Sequence, residues 1–267
     1  MSTRPLLIGV PYDASSSFLR GAAAAPAAIR KALASPAGNA YCERLVPIIA
    51  GETFDDTGDL ALPAGPEARG IIERAFGNLD RKRPCLALGG DHSITYPILR
   101  ALAASHPSLT VLQIDAHPDL YDQFEGDRYS HACPFARIME AQLATRLVQV
   151  GIRTMTAHQR EQAVRFGVEQ TDMRAWAAGV RVAIDGPWYL SLDLDGIDPA
   201  FAPGVSHREP GGLSVRDVLT LIDSQPGPLV GADIVELNPA QDDREITALV
   251  AAKLTKELLG RWIADHP

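Results

Sequence analysis

Short apolar runs alternate with helical stretches along almost the whole of this chain. Residues 6–10, 85–88, 109–114, 147–150, 188–194 and 229–235 are mostly apolar and read as strands. Between and after them, residues 27–33 (behind Pro26), 66–79, 94–105, 134–143, 158–166, 215–224 and 245–263 read as helices. Strands that alternate with helices in this way build βαβ units, and so a parallel sheet covered on both faces. No repeat, linker or low-complexity tract interrupts the pattern, and the alanine-rich run at 21–28 leads into a helix. The 267 residues are therefore expected to form one α/β domain, 1–267.

In open parallel sheets, ligands bind just beyond the carboxyl ends of the strands. Polar clusters follow four of the predicted strands. Asp115, His117 and Asp119 stand at alternate positions after the strand at 109–114. If the chain stays extended there, all three point to one side, and mixed oxygen and nitrogen donors suit a divalent metal such as Mn²⁺, Zn²⁺ or Ni²⁺. A polar turn capped by Asp115 would use the same residues. Asp193 and Asp195 end the strand at 188–194 and are expected on one face, with Leu190, Leu192 and Leu194 on the other. Like charges this close need a cation between them to stay ionised. Asp198-Pro199 beside them has the form of a capped turn.

Gly89-Gly90-Asp91-His92-Ser93 follows the strand at 85–88. The glycines permit a tight turn, Asp91 or Ser93 could cap the next helix, and His92 could be a sixth ligand. Glu236, after the strand at 229–235, could grip a cation such as a guanidinium. His131 precedes the helix at 134–143 and could carry a proton near neutral pH.

Composition narrows the classes. With 46% hydrophobic and 22% charged residues the balance is that of a globular chain, and the net charge of −8 comes with no basic stripe for nucleic acid. Cys42, Cys85 and Cys133 lack CxxC spacing and are expected as reduced thiols. The start lacks a basic segment followed by a long apolar run, and no stretch approaches the ~20 apolar residues of a membrane span, so no membrane partner and a cytoplasmic location are expected. Ser15-Ser16-Ser17 and Ser93 lack the elbow motif of serine hydrolases, and the Gly-Gly pairs match no nucleotide fingerprint.

Taken together, the motifs resemble the ureohydrolase family of arginases, agmatinases and guanidinobutyrases. The resemblance runs from Gly9-Val-Pro11-x-Asp13 to the last helix, through GGDHS at 89–93, DAHPD at 115–119, SLDLDGIDPAFAPG at 191–204 and DIVELNP at 233–239. The wording at 119–126, 129–140 and 204–219 is most similar to plant-type arginases and their bacterial relatives. The resemblance implies a three-layer α/β/α sandwich around an eight-stranded, mainly parallel sheet, and a homotrimer or homohexamer. It also implies two Mn²⁺ ions (or Ni²⁺ or another divalent metal) on His92, Asp115, His117, Asp119, Asp193 and Asp195.

Its reaction cuts a small cationic guanidino substrate to urea and an amine. A guanidinium carbon is a poor electrophile, and water between two cations ionises far more readily than bulk water, whose pKa is ~15.7. By similarity, Asp119 orients that nucleophile and moves its proton. His131 delivers a proton to the leaving amine or shuttles it, and Glu236 holds the guanidinium. The tail is read differently from animal-type arginases: Tyr121 stands where they carry an Asn, and Thr154-Met155-Thr156 after Gly151-Ile152-Arg153 offers no Asp. Agmatine is therefore the expected substrate, with L-arginine next, then guanidinobutyrate. Asp127-Arg128 is a candidate contact for the tail. Formimino or acyl hydrolysis, or a metal-binding relative without activity, are the remote alternatives.

Overall fold

Alternate residues of a strand face opposite ways, so a strand apolar throughout needs cover on both sides. The computed structural model, which describes residues 4–265, meets that need with helices on each face. In chain order the elements are β1 (Leu6–Val10), α1 (Ala25–Leu33), β2 (Asp55–Asp59), α2 (Ala68–Gly77), β3 (Cys85–Gly89), α3 (Thr95–Leu102), β4 (Thr110–Ile114) and α4 (Pro134–Glu140). They continue with β5 (Arg146–Val150), α5 (Ala157–Phe166), β6 (Glu169–Thr171), α6 (Met173–Ala177), β7 (Trp188–Asp193), α7 (Val215–Ser224), β8 (Leu229–Val235) and α8 (Ile246–Asp265).

The eight strands form one sheet in the order β2-β1-β3-β8-β7-β4-β5-β6. Every pairing is parallel, so the expected sandwich is present and its sheet is wholly rather than mainly parallel. Leu7, Leu86, Leu88, Leu112, Ile114, Leu190 and Leu192 pack on one face with Ile29 of α1, Ile222 of α7 and Leu258 of α8. Their strand neighbours Leu6, Ile8, Cys85, Ala87, Val111 and Tyr189 pack on the other with Ile72 of α2, Ile98 of α3 and Phe135 of α4.

Two strands escape the apolar signal, β2 (DDTGD) and β6 (EQT). Both lie at sheet edges, where one flank faces solvent and apolar side chains are not required. Arg30 and Arg83 hold β2 through Asp56 and Asp55. At the centre, β8 and β7 separate β3 from β4, so the ends of four strands distant in sequence lie side by side.

Candidate metal centre

Each cluster is placed by the turn that ends its strand. After β3, the chain at Gly90 runs against the chain after β1: a Cβ on Gly90 would lie 1.8 Å from the Tyr12 carbonyl oxygen. Room, rather than an unusual φ, is what this glycine supplies. The Asp91 N–H then donates to that carbonyl at 2.8 Å. The Asp91 carboxylate accepts from the Ser93 N–H at 3.1 Å and from the Ser15 N–H at 3.0 Å, and His92 is turned into the interior.

The segment 115–119 is not extended, contrary to expectation. It bends at Ala116 and His117, and Asp119 sits in the left-handed region at φ 49°. The His117 N–H donates to Asp115 Oδ1 at 2.6 Å and locks the bend. Asp193 closes β7, but Asp195 lies in a 3₁₀ turn (Leu194–Gly196), its N–H donating to Asp193 Oδ1 at 2.8 Å. Asp195 therefore does not share a strand face with Asp193; it reaches across to accept the Ala116 N–H at 3.1 Å.

These turns bring all six candidate ligands together. His92 Nδ1 lies 3.2 Å from Asp115 Oδ2, 3.1 Å from Asp119 Oδ2 and 3.2 Å from Asp193 Oδ2. His117 Nδ1 lies 3.0 Å from Asp195 Oδ2 and 3.5 Å from Asp115 Oδ1. Two groups result whose ligand atoms lie close enough together to hold a metal ion, His92-Asp115-Asp119 and Asp115-His117-Asp195, with Asp115 common to both.

The donor set fits cations for a specific reason. His92 Nδ1 is a buried nitrogen with no hydrogen-bond partner. Its other nitrogen, Nε2, meets Ser191 Oγ at 2.9 Å, and Ser191 Oγ gives its own proton to Asp233 Oδ1 at 2.7 Å. Ser191 must then accept from His92 Nε2–H, so in the neutral imidazole it is the Nδ1 lone pair that is aimed among three carboxylates. Burial opposes charge on His92, but those carboxylates outweigh it and hold its pKa well above normal. His117, also against burial, is raised to about 12 by Asp195 and Asp115. Burial, Asp195 and Asp115 push Asp193 well up, and burial with Asp115 raises Asp119 to about 6. A cluster this short of positive charge is neutralised either by retained protons or by divalent cations.

The sheet supports the ligands through one row of side chains. Gln170, Gln149, Gln113, Ser191 and Asp233 are register partners across β6, β5, β4, β7 and β8. Gln170 donates to Gln149, Gln149 to Gln113, and Gln113 to Asp115 Oδ2 at 2.7 Å.

Beside the cluster, His131 Nδ1 lies 2.9 Å from Glu236 Oε1, which also accepts the His92 N–H at 2.8 Å. No group among the described residues donates to Glu236 Oε2. His131 Nε2 meets Ser17 Oγ at 2.9 Å. Burial alone would lower His131, but Glu236, Asp91 and Asp119 raise it to about 9.

The family model for the arginase family matches residues 4–260. The chain is 43% identical to "Arginase 1, mitochondrial" of Arabidopsis thaliana over 96% of its own length and 80% of that protein's. It is 30% identical to an agmatinase of Bacillus anthracis, covering 97% and 91%. The solved arginase of Medicago truncatula superposes with a TM-score of 0.90 at 38% identity, covering 97% of this chain and 87% of that one.

The chain belongs to the arginase family.

As a member it is a hydrolase of the ureohydrolase type, and its cluster lies at the floor of a cavity of about 180 Å³. Tyr121, Phe124, Thr154, Met155, Thr156 and Gln159 line this arginase-family cavity along with four residues of the cluster, His117, Asp119, Asp193 and Asp195. Asp127 and Arg128 do not. Arg128 is held by Asp122 at 2.9 Å and Glu140 at 3.0 Å, and Asp127 Oδ1 accepts the Tyr129 N–H at 2.8 Å. Sequence reasoning missed Ser17 and His207, which both line the cavity; His207 faces the His131 ring at 5.3 Å. It also missed the supporting roles of Asp233, Gln113 and Gln149, whose one available signal is a polar residue inside an apolar strand, and of Gln170 in the polar β6, which gives none. No helix among the described residues is long and apolar enough to cross a membrane.

Proposed function

We propose that this hydrolase cleaves L-arginine to L-ornithine and urea, with two Mn²⁺ ions on His92, Asp115, His117, Asp119, Asp193 and Asp195. The paired ligand groups sharing Asp115, directly beneath a cavity that also receives Glu236, carry the reading. Divalent cations in such a site make water acidic enough to attack at neutral pH and draw charge off the reacting carbon.

The chain's own residues divide the remaining work. Glu236 Oε2, to which none of the described residues donates, accepts hydrogen bonds from the guanidinium and turns its carbon toward the cluster. Asp119 orients the attacking water and takes up its proton. His131, held by Glu236 at Nδ1 and Ser17 at Nε2, passes a proton to the departing amine. A cavity of about 180 Å³ is well below the ~300–1,000 Å³ of drug-sized sites and suits a small metabolite.

Arginine replaces agmatine, the expectation from sequence, for two reasons. The likeness to a protein named arginase is 43%, against 30% to one named agmatinase. The acidic residues lining the cavity, Asp119, Asp193, Asp195 and Glu236, are all at the cluster, so the terminal ammonium of agmatine meets no counter-charge at the far end. The test is urea release by Mn²⁺-loaded protein from arginine, agmatine, guanidinobutyrate and guanidine in parallel. Arginine should give the highest kcat/KM. A higher value for agmatine removes the substrate assignment; formamide or acetate from formimino or acyl substrates, with no urea, removes the reaction.

A further inference from the structure

At the far end of the cavity the donor pattern is one-sided. Thr156 caps α5, and Gln159 closes the box: the Thr156 N–H donates to Gln159 Oε1 at 3.1 Å, and the Gln159 N–H to Thr156 Oγ1 at 3.3 Å. A backbone N–H can only donate, so the amide oxygen of Gln159 must face Thr156, and the NH₂ faces the opposite way. The Thr156 hydroxyl, 3.3 Å from the same oxygen, occupies it further.

Gln159 is 4% exposed, and among the described residues nothing accepts from its Nε2. Among the described residues the fully enclosed unpaired side-chain atoms are His92 Nδ1, Gln162 Nε2, Gln225 Oε1 and Arg261 Nε. Gln159 Nε2 is not one of them, so it keeps some surface of its own, and Gln159 lines the cavity. Thr156, at the N-terminus of the ten-residue α5, lines the same cavity. The first N–H groups of a helix have no partner within it and carry its positive end.

We propose that Gln159 Nε2 and the start of α5 form a subsite for the carboxylate of the substrate's tail. The subsite selects ω-guanidino carboxylic acids over guanidino amines, and it rests on the guanidino reading above. An ammonium finds no carboxylate here, and the amide oxygen of Gln159 is already engaged by Thr156. The α-amino group of arginine is left unread.

Two truncations of arginine separate the head groups: 5-guanidinopentanoate lacks the α-amino group, and agmatine lacks the carboxylate. In Gln159→Glu the side chain still closes the capping box but offers an acceptor and a charge in place of the NH₂. Its melting temperature should match wild type. The kcat/KM ratio of 5-guanidinopentanoate to agmatine should exceed one in wild type and fall about 10- to 100-fold in Gln159→Glu, as loss of a hydrogen bond to a charged group implies. Gln159→Met, which removes the donor without adding charge, should lower the ratio less. Calorimetric Kd values for both compounds give a second readout. Urea release with a ratio that Gln159→Glu leaves within about two-fold of wild type overturns the subsite and spares the reaction. No urea, with tighter binding of the acid that Gln159→Glu abolishes, keeps the subsite and overturns the reaction.

Discussion

Asp233 is neither a candidate metal ligand nor a lining residue of the cavity, yet it decides which nitrogen of His92 is free. Its carboxylate takes protons from Ser191, Tyr189 (2.8 Å) and Thr95 (3.0 Å), so Ser191 can only accept from His92. In Asp233→Asn one acceptor becomes a donor, Ser191 is free to donate to His92 instead, and the Nδ1 lone pair is no longer assured. The variant should fold and bind about 10- to 100-fold less metal at limiting concentration, the usual loss when an outer partner is removed. Metal content after dialysis against graded Mn²⁺ measures it, and wild-type retention would show that the relay sets nothing. The six candidate ligands come as a set from the motif resemblance, since the spacings of Asp and His at strand ends leave a capped polar turn open as well. Sequence could not name Asp233's part, because a buried Asp inside a strand takes its meaning from the strand beside it.

Among the secondary-structure elements, six of the eight strands were readable because burial on both faces demands continuous apolar residues. The two edge strands were not, since Asp55–Asp59 and Glu169–Thr171 obey register and ion pairing instead. The turns were read least well. An extended 115–119 and a strand-borne Asp195 were the simplest continuations of the pattern, and hydrogen bonds from the His117, Ala116 and Asp195 N–H groups bend both segments away from it. Gly90 shows how little slack those turns have. A methyl group there would meet the Tyr12 backbone, which cannot rotate aside as a side chain can. Gly90→Ala should cost at least the ~1–3 kcal/mol of an overpacked core and should also displace His92. Urea-induced unfolding and metal content report the two effects separately, and unaltered values for both would show that the contact can relax.

For the molecule as a whole, the cores on the two faces of the sheet do not depend on the cluster, so the fold should survive chelation. Its stability should not be unchanged. A ligand present at ~1,000 times its Kd adds ~4 kcal/mol, which for a chain of this size is a shift in Tm on the order of 10 °C. Scanning calorimetry before and after chelation, with Mn²⁺ restored, checks this; equal melting temperatures with the metal gone would mean that the six side chains do not hold it in the native state. The row from Gln170 to Asp233 has a different consequence. Asp115 and Asp193 each follow a member of that row by two positions, so the candidate metal centre is indexed to the backbone of the sheet, while Thr156 and Gln159, which line the same cavity, belong to the opening turn of one helix. On the subsite proposed above, descendants of such a chain can exchange the helix opening and acquire new substrates while inheriting the metal centre unaltered.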